Sequence, residues 1–341
     1  MIQPLLVKKP FLKILLEITL VLALLYFGRT LFVPLFFAVL VSFIIYPFCR
    51  WLERKGFSRV LAIAAGLLVA SIPICGIAYV FIAQLFEIGN HYGFLQQKLH
   101  VLLSAIDPGL GKHFSAHPGQ GDFLRETFLK NTTQVYKGLL TSFSVLLQVV
   151  LVPFYTALIL YHRKGLLRFF QSFFPAGEAA RVHSIIEEIV VTYYNFIKGM
   201  LLVYLIVGTL NSVALFLLGI PNSFIYGFTA SILTFIPYIG IIVGSIMPVI
   251  AAWAMNDGIF YPLGVIASFT FVQFLEANLI FPLAVSYRIK VNTLFTLLAI
   301  FLGAIIWGAA GMILFIPFVA ILKLVAEKIP RLKPLADVLG E

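Results

Sequence analysis

Glu276 is a carboxylate inside an apolar run, with Gln273 three residues before it and Asn278 and Pro282 after it. A charged side chain at the centre of a membrane helix costs roughly 2.5–3.5 kcal/mol on insertion scales, so one left there is paired or functional. A functional carboxylate would bind a cation or a proton. The structural alternative is a salt bridge, for which Lys198 and Arg288 are the candidate partners. Gln273 shares a helical face with Glu276 at i, i+3, whereas Asn278 points elsewhere on a regular helix. Glu276 and Asn278 reach one site only if the helix unwinds near Pro282.

A second set of residues breaks helices rather than carrying charge. Thr234-Phe-Ile-Pro-Tyr-Ile-Gly-Ile-Ile-Val-Gly-Ser-Ile-Met-Pro248 is membrane-soluble nearly throughout, yet Pro237, Gly240, Gly244 and Pro248 interrupt it. Proline at 237, 248 or 282 cannot donate to the carbonyl four residues earlier, which releases the oxygens of Leu233, Gly244 and Asn278. In hydrocarbon such oxygens persist only against other protein or a water-filled cavity. Broken helices with polar groups at membrane depth are a way to build a substrate or ion site. The candidate binding set is therefore Glu276, Asn278, Gln273, Pro237, Gly240 and Pro282. Gly240-x-x-x-Gly244 is equally a helix-contact pattern. Gly244 and Pro248, with Gly303, Gly308 and Gly311 in the last apolar run, are read as hinge or packing positions. Asn211 is expected to be an interhelical hydrogen-bond partner, and Lys198 either to contact an anionic substrate or to snorkel toward the cytoplasm.

The elements that must hold these residues are membrane helices. Hydrophobic residues make up 61% of 341 positions and charged residues 11%, which excludes an ordinary soluble domain. The fold class is all-α: a polytopic membrane protein of about eight apolar helical segments, some broken or re-entrant. The segments fall near 11–27, 31–48, 60–86, 139–161, 193–218, 224–255, 259–282 and 294–325. The last is longer than one crossing needs and is broken by glycine and proline, so it is kinked or two pieces. Residues 87–138 change composition and read as a small extramembranous helical arm. Residues 1–86 form N-terminal membrane helices, and 139–192 a membrane helix plus a cytoplasmic amphipathic loop. Residues 193–326 make the transport core and 327–341 a tail.

Charge gives the orientation. The net charge of +10 sits at segment ends, as in Arg50-Trp-Leu-Glu-Arg-Lys-Gly-Phe-Ser-Arg59 and His162-Arg-Lys164. Such loops stay cytoplasmic, which explains the basic balance without nucleic acid. Eight crossings put both termini in the cytoplasm of a bacterial inner membrane but leave Arg288 and Lys290 outside. Cys49 and Cys75 lack metal or redox spacing, and neither a His-Glu-x-x-His nor a phosphate-binding Gly-x-x-x-x-Gly-Lys-Ser/Thr motif occurs. The reading is of a non-enzyme with no cofactor and no metal.

Ile197-Lys-Gly199, Phe235-Ile-Pro-Tyr-Ile-Gly240 with Gly244 and Pro248, Glu276-Ala-Asn-Leu-Ile-Phe-Pro282, Gly303, Gly308-Ala-Ala-Gly-Met312 and Pro317 follow in order. This second half, from about 175 to 317, resembles the AI-2E transporter family. The resemblance implies secondary transport: export of a small polar solute such as autoinducer-2, or exchange of monovalent cations for protons. Lipid, a small-molecule or cation substrate and further copies of the chain are the partners it implies. A membrane scaffold acting through the 87–138 arm, or a channel, are the competing readings.

Overall fold

The structure, a computed structural model, describes residues 9–106, 143–174, 179–255, 258–285 and 291–340. Most of the expected arm lies outside the described residues, as do Arg288 and Lys290. All regular structure among the described residues is helical. Five helical stretches are long and apolar enough to cross a membrane: Arg29–Arg54, Arg59–Gln84, Ala180–Leu217, Phe260–Ala284 and Ala309–Lys328.

Helix α1 (Lys9–Phe27) is followed by α2 (Arg29–Arg54), which runs through Pro34 and Pro47. Gly56, at φ 94°, closes α2 in the left-handed conformation that glycine adopts freely, and the Phe57 N–H reaches back to Leu52. Helix α3 (Arg59–Ile106) has 48 residues, so the expected third span runs without a break into the first part of the expected arm. Helix α4 covers Phe143–Ser172, and α5 (Ala179–Leu217) joins the end of the expected amphipathic loop to the fifth span. No glycine or proline separates residues 178 to 198, and the helical pattern continues unbroken.

The run near 224–255, expected as one segment, and the last run, expected as kinked or two pieces, are each a pair of helices. The first divides into α6 (Ser223–Leu233) and α7 (Ile239–Met255). Helix α8 (Phe260–Leu275) follows, then a π turn (Glu276–Ile280) and α9 (Phe281–Ala284). The last run divides at Gly308, φ 64°, into α10 (Thr293–Trp307) and α11 (Ala309–Lys328). Helix α12 (Lys333–Leu339) ends the described chain.

The chain forms two compact units, one of Met1–Pro47, Leu147–Val190 and Ile289–Glu341, the other of Phe48–Leu146 and Val191–Arg288. In the first, α10 and α11 fold back on each other. A Cβ on Gly303 would meet the Gly311 carbonyl oxygen at 2.4 Å, and one on Gly311 the Gly303 oxygen at 1.9 Å. Trp307 donates its indole N–H to the Leu25 carbonyl at 2.9 Å and meets Phe36 tilted and Phe315 edge-on, ring centroids 5.5 Å apart in each pair. Lys328 pairs with Glu188 at 2.9 Å, and the Asn292 N–H bonds the Leu339 carbonyl at 3.0 Å, which ties α12 to the start of α10.

In the second unit α5 is the central helix. Leu215, Ile220, Tyr226, Ala230, Met247, Ala252, Val265 and Phe269 form one core, from α5, α6, α7 and α8. Val203 and Val207 pack with Val272 and Ile280 in another. Gly227 lies against the Ser212 backbone and Gly208 against Phe228 and Ser231, so α5 and α6 approach at van der Waals distance. Gln84 on α3 donates to Thr229 on α6 at 3.0 Å. Phe216, Phe271 and Phe274 point outward, as side chains facing lipid do.

Replacing Gly303 with alanine should lower the melting temperature of the purified protein, consistent with an overpacking cost of about 1–3 kcal/mol. Gly76→Ala, where a Cβ meets nothing within 4 Å inside a helix, is the control and should not lower the transition.

Candidate functional site

Pro282 accounts for the π turn that begins at Glu276. Lacking an N–H, it cannot bond the Asn278 carbonyl, and its ring would crowd that oxygen in a regular α turn. Widening the turn by one residue removes the conflict. The Phe281 N–H accordingly reaches back five residues to the Glu276 carbonyl. The helix widens here and does not unwind.

The widened turn separates the residues expected to share a site. Glu276 is only 8% exposed, and its Oε2 accepts a 2.9 Å bond from Gln273 Nε2. Asn278 lies on the exposed side and donates to the Phe274 carbonyl at 2.8 Å. Gln273 and Glu276 are together, and Asn278 is apart from them. Among the described residues Glu276 makes no salt bridge, and Lys198 is exposed.

Helix α5 runs antiparallel beside this pair. Its Gly199 lies against Ala284, where a Cβ would sit 2.7 Å from the carbonyl oxygen, while at the far end Leu218 packs against Gly264. Gly199 is thus required where α5 crosses α9, which links two motifs far apart in sequence. Tyr204, one turn along, is within electrostatic reach of Glu276. Among the described residues its buried hydroxyl has no hydrogen-bond partner. The Tyr204 carbonyl accepts from Ser231 Oγ at 3.1 Å, so α6 is tied to α5 at this residue.

Pro237 and Gly240 form the tip of the α6–α7 hairpin. Tyr238 has φ 63°, a conformation uncommon for a residue with a Cβ. The Leu233 oxygen, expected to be released by Pro237, accepts the Ile236 N–H at 3.0 Å. A Cβ on Gly240 would stand 1.7 Å from that same oxygen, and one on Gly244 would stand 2.7 Å from Ala230 Cα. The tip therefore satisfies its own backbone and excludes any side chain at 240. Pro248 is buried inside α7. Among the described residues no hydrogen bond joins the tip to the Glu276–Gln273 pair. Gly303, Gly308 and Gly311 belong to the other hairpin, in the first unit.

Asn211 was expected to bond between helices. It is fully buried on α5, and among the described residues neither its amide nitrogen nor its oxygen has a hydrogen-bond partner. The Gln273 oxygen is in the same condition. The available signal was position: Val203, Val207, Asn211 and Leu215 form one buried stripe at four-residue spacing, polar at a single place.

The description of the AI-2E family transporters matches residues 15–331. The chain belongs to this family. The match extends well beyond the second half that carries the motifs. YrrI of Bacillus subtilis (strain 168) is 25% identical over 323 residues, covering 89% of this chain and 88% of that protein. YhhT of Escherichia coli K12 is 24% identical over 314 residues, covering 91% and 87%. MT0215 of Mycobacterium tuberculosis is 23% identical over 315 residues, covering 90% and 85%. All three are provisionally named transport proteins. This AI-2E family chain is thus a multi-pass membrane protein with transport as its family role.

Gln273→Leu should leave the buried Glu276 carboxyl without its partner and lower stability by about 1–3 kcal/mol. Thermal unfolding of the single variants and of Gln273→Leu with Glu276→Leu closes a double-mutant cycle. The double variant should be more stable than the sum of the two single losses.

Proposed function

We propose that this protein is a secondary transporter of the AI-2E type in the bacterial inner membrane, and not an enzyme. Its cargo is a small polar solute of the autoinducer-2 kind, or a monovalent cation exchanged for protons. The single observation that carries the reading is the Glu276–Gln273 pair, a protonatable carboxyl held by an amide within a membrane-crossing helix. Binding and release of a cation or proton at Glu276 would couple to the cargo, because a charge at membrane depth is stable only while it is neutralised or solvated. Pro282 contributes by widening the turn, and Pro237 and Gly240 by shaping the hairpin tip. Asn278 would meet solute or lipid from the outer side of α8. Further copies of the chain and membrane lipid are its partners.

The hairpins support a particular topology. Helix α6 has 11 residues and rises about 16 Å, far short of a hydrocarbon core of about 30 Å. The Gly244 contact with Ala230 and the Gly240 contact with Leu233 make α6 and α7 antiparallel, so the pair returns to the side it came from. The α10–α11 hairpin also turns back, about Gly308, because α10 with 15 residues rises only about 22 Å, although α11 alone is long enough to cross. Six full crossings then remain: α1, α2, α3, α4, α5 and the α8–α9 segment. Both termini stay cytoplasmic, and the α6–α7 hairpin enters from outside. The connection after Ala284, whose sequence holds Arg288 and Lys290, falls on the cytoplasmic side, in keeping with the bias of basic residues.

Two experiments test this reading. In a chain lacking Cys49 and Cys75, Phe260→Cys should react with an impermeant maleimide added outside intact cells, since Phe260 is 82% exposed just after the hairpin. Labelling only after the cells are opened would mean that the hairpin crosses. In proteoliposomes, wild-type protein should move 22Na+ or labelled D-ribose in response to a pH gradient, and Glu276→Gln should abolish that coupling while the protein still inserts. Unchanged pH dependence in the variant overturns the carboxyl's role. An uncoupled, voltage-driven current would instead mark a channel.

A further inference from the structure

Asn211 presents two unmet hydrogen-bonding atoms at a place where an apolar side chain would be more stable. One turn before it lies Val207 and one turn after it Leu215, each at most 1% exposed. Leu215 packs with Val265 and Phe269, and Val207 with Val272 and Ile280. Helices α5 and α8 are antiparallel, so Asn211 is level with the turn Phe269–Val272, immediately before Gln273. Further along the same interface come Glu276 and, from α5, Tyr204. Among the described residues, Asn211 Nδ2 and Oδ1, Gln273 Oε1 and Tyr204 Oη all lack hydrogen-bond partners.

Each buried atom left unmet costs about 1–3 kcal/mol, so a set of four along one helix interface is not a device for stability. The hydroxyl side chains nearby behave differently. Ser212 donates to the Gly208 carbonyl at 2.7 Å, and Ser231 to Phe228 at 2.9 Å, each satisfied within its own helix. The Asn211 amide has no such outlet, and the Gln273 amide uses only its nitrogen, toward Glu276. Buried polar groups without protein partners are met by water or ligand.

We propose that Asn211, with Gln273 and Tyr204, lines a water-reachable binding chamber between α5 and α8, and that Asn211 contacts the cargo. This proposal rests on the transport reading and adds a second wall to the site of Glu276. The chemistry of the wall selects the ligand class. Asn211 offers a donor and an acceptor side by side, Gln273 offers an acceptor, and Tyr204 can do either. A neutral group bearing hydroxyls satisfies all of these at once, whereas an anion would meet the Glu276 carboxyl and the unmet oxygens.

The test uses thiol chemistry in the full-length chain with Cys49→Ala and Cys75→Ala. Asn211→Cys and, as the dry control on the same face, Leu215→Cys are reconstituted in liposomes. The neutral probe is 2-hydroxyethyl methanethiosulfonate and the anionic one 2-sulfonatoethyl methanethiosulfonate. Because a thiol buried in apolar surroundings is inert, the hydroxyethyl reagent should modify position 211 at least roughly tenfold faster than position 215. The sulfonate should not share that advantage. Equal slow rates at both positions overturn the chamber, and a sulfonate as fast as the hydroxyethyl reagent overturns the ligand class. If Asn211→Cys does not fold, Gln273→Cys carries the same two comparisons. The two readings fail separately. Fast labelling at 211 alongside normal coupling in Glu276→Gln keeps the chamber and removes the carboxyl's role. Slow labelling with coupling lost in Glu276→Gln does the reverse.

Discussion

Hydrocarbon offers no hydrogen bonds, so every backbone or side-chain group released by a break in a membrane helix has to be met by protein or by water brought in. The α6–α7 tip obeys this with local means. Thr234 Oγ1 donates to Ser231, Phe235 to Ile232, Ile236 to Leu233, Ile239 to Pro237 and Gly240 to Ile236. Serine and threonine elsewhere in the helices return their protons to a carbonyl three or four residues back, as Thr156 does to Val152 and Thr270 to Ile266. Hydroxyls and tight turns are therefore quiet. What stands out against them among the described residues are the Asn211 amide, the Gln273 oxygen and the Tyr204 phenol, beside a Glu276 carboxyl met by the Gln273 nitrogen.

The same constraint explains how α5 and α8 are arranged. Between apolar helices in lipid there is little hydrophobic gain, and close packing has to hold them together. Gly199, Gly208 and Gly227 supply it, each standing where a Cβ would strike a neighbouring helix. The polar interface is thus clamped by glycine contacts on both of its sides, α9 at one and α6 at the other.

Much of this was legible in residue types. Sixty-one per cent hydrophobic composition announces membrane helices, and the Glu276–Gln273 pair follows from i, i+3 spacing on a helix. Pro282 signals a disturbed turn, but spacing alone does not distinguish unwinding from a π turn, and that difference decides where Asn278 points. Likewise Pro237 and Gly240 mark a break, yet the released Leu233 oxygen is recaptured by Ile236, a local bond that no periodicity reports. The division of 224–255 and 294–325 into hairpins depends on which glycines meet another backbone. That is a property of the packed pair and not of either strip of sequence. Asn211 was hidden for the same reason. A lone amide in an apolar stripe reads as a helix–helix bond until its neighbours are known to be valine and leucine.

The Gly303–Gly311 crossing carries a consequence for how such a chain can change over time. Each of the two residues faces the other's carbonyl oxygen, so any side chain at one strikes main chain at the other. Compensation normally works by shrinking the partner, and glycine has nothing left to give up. Neither position can drift first, and no second substitution opposite repairs the first. The hairpin is consequently a dead end for gradual sequence variation. A descendant that replaces either glycine gives up stability at the crossing, with no change at the other glycine to restore it.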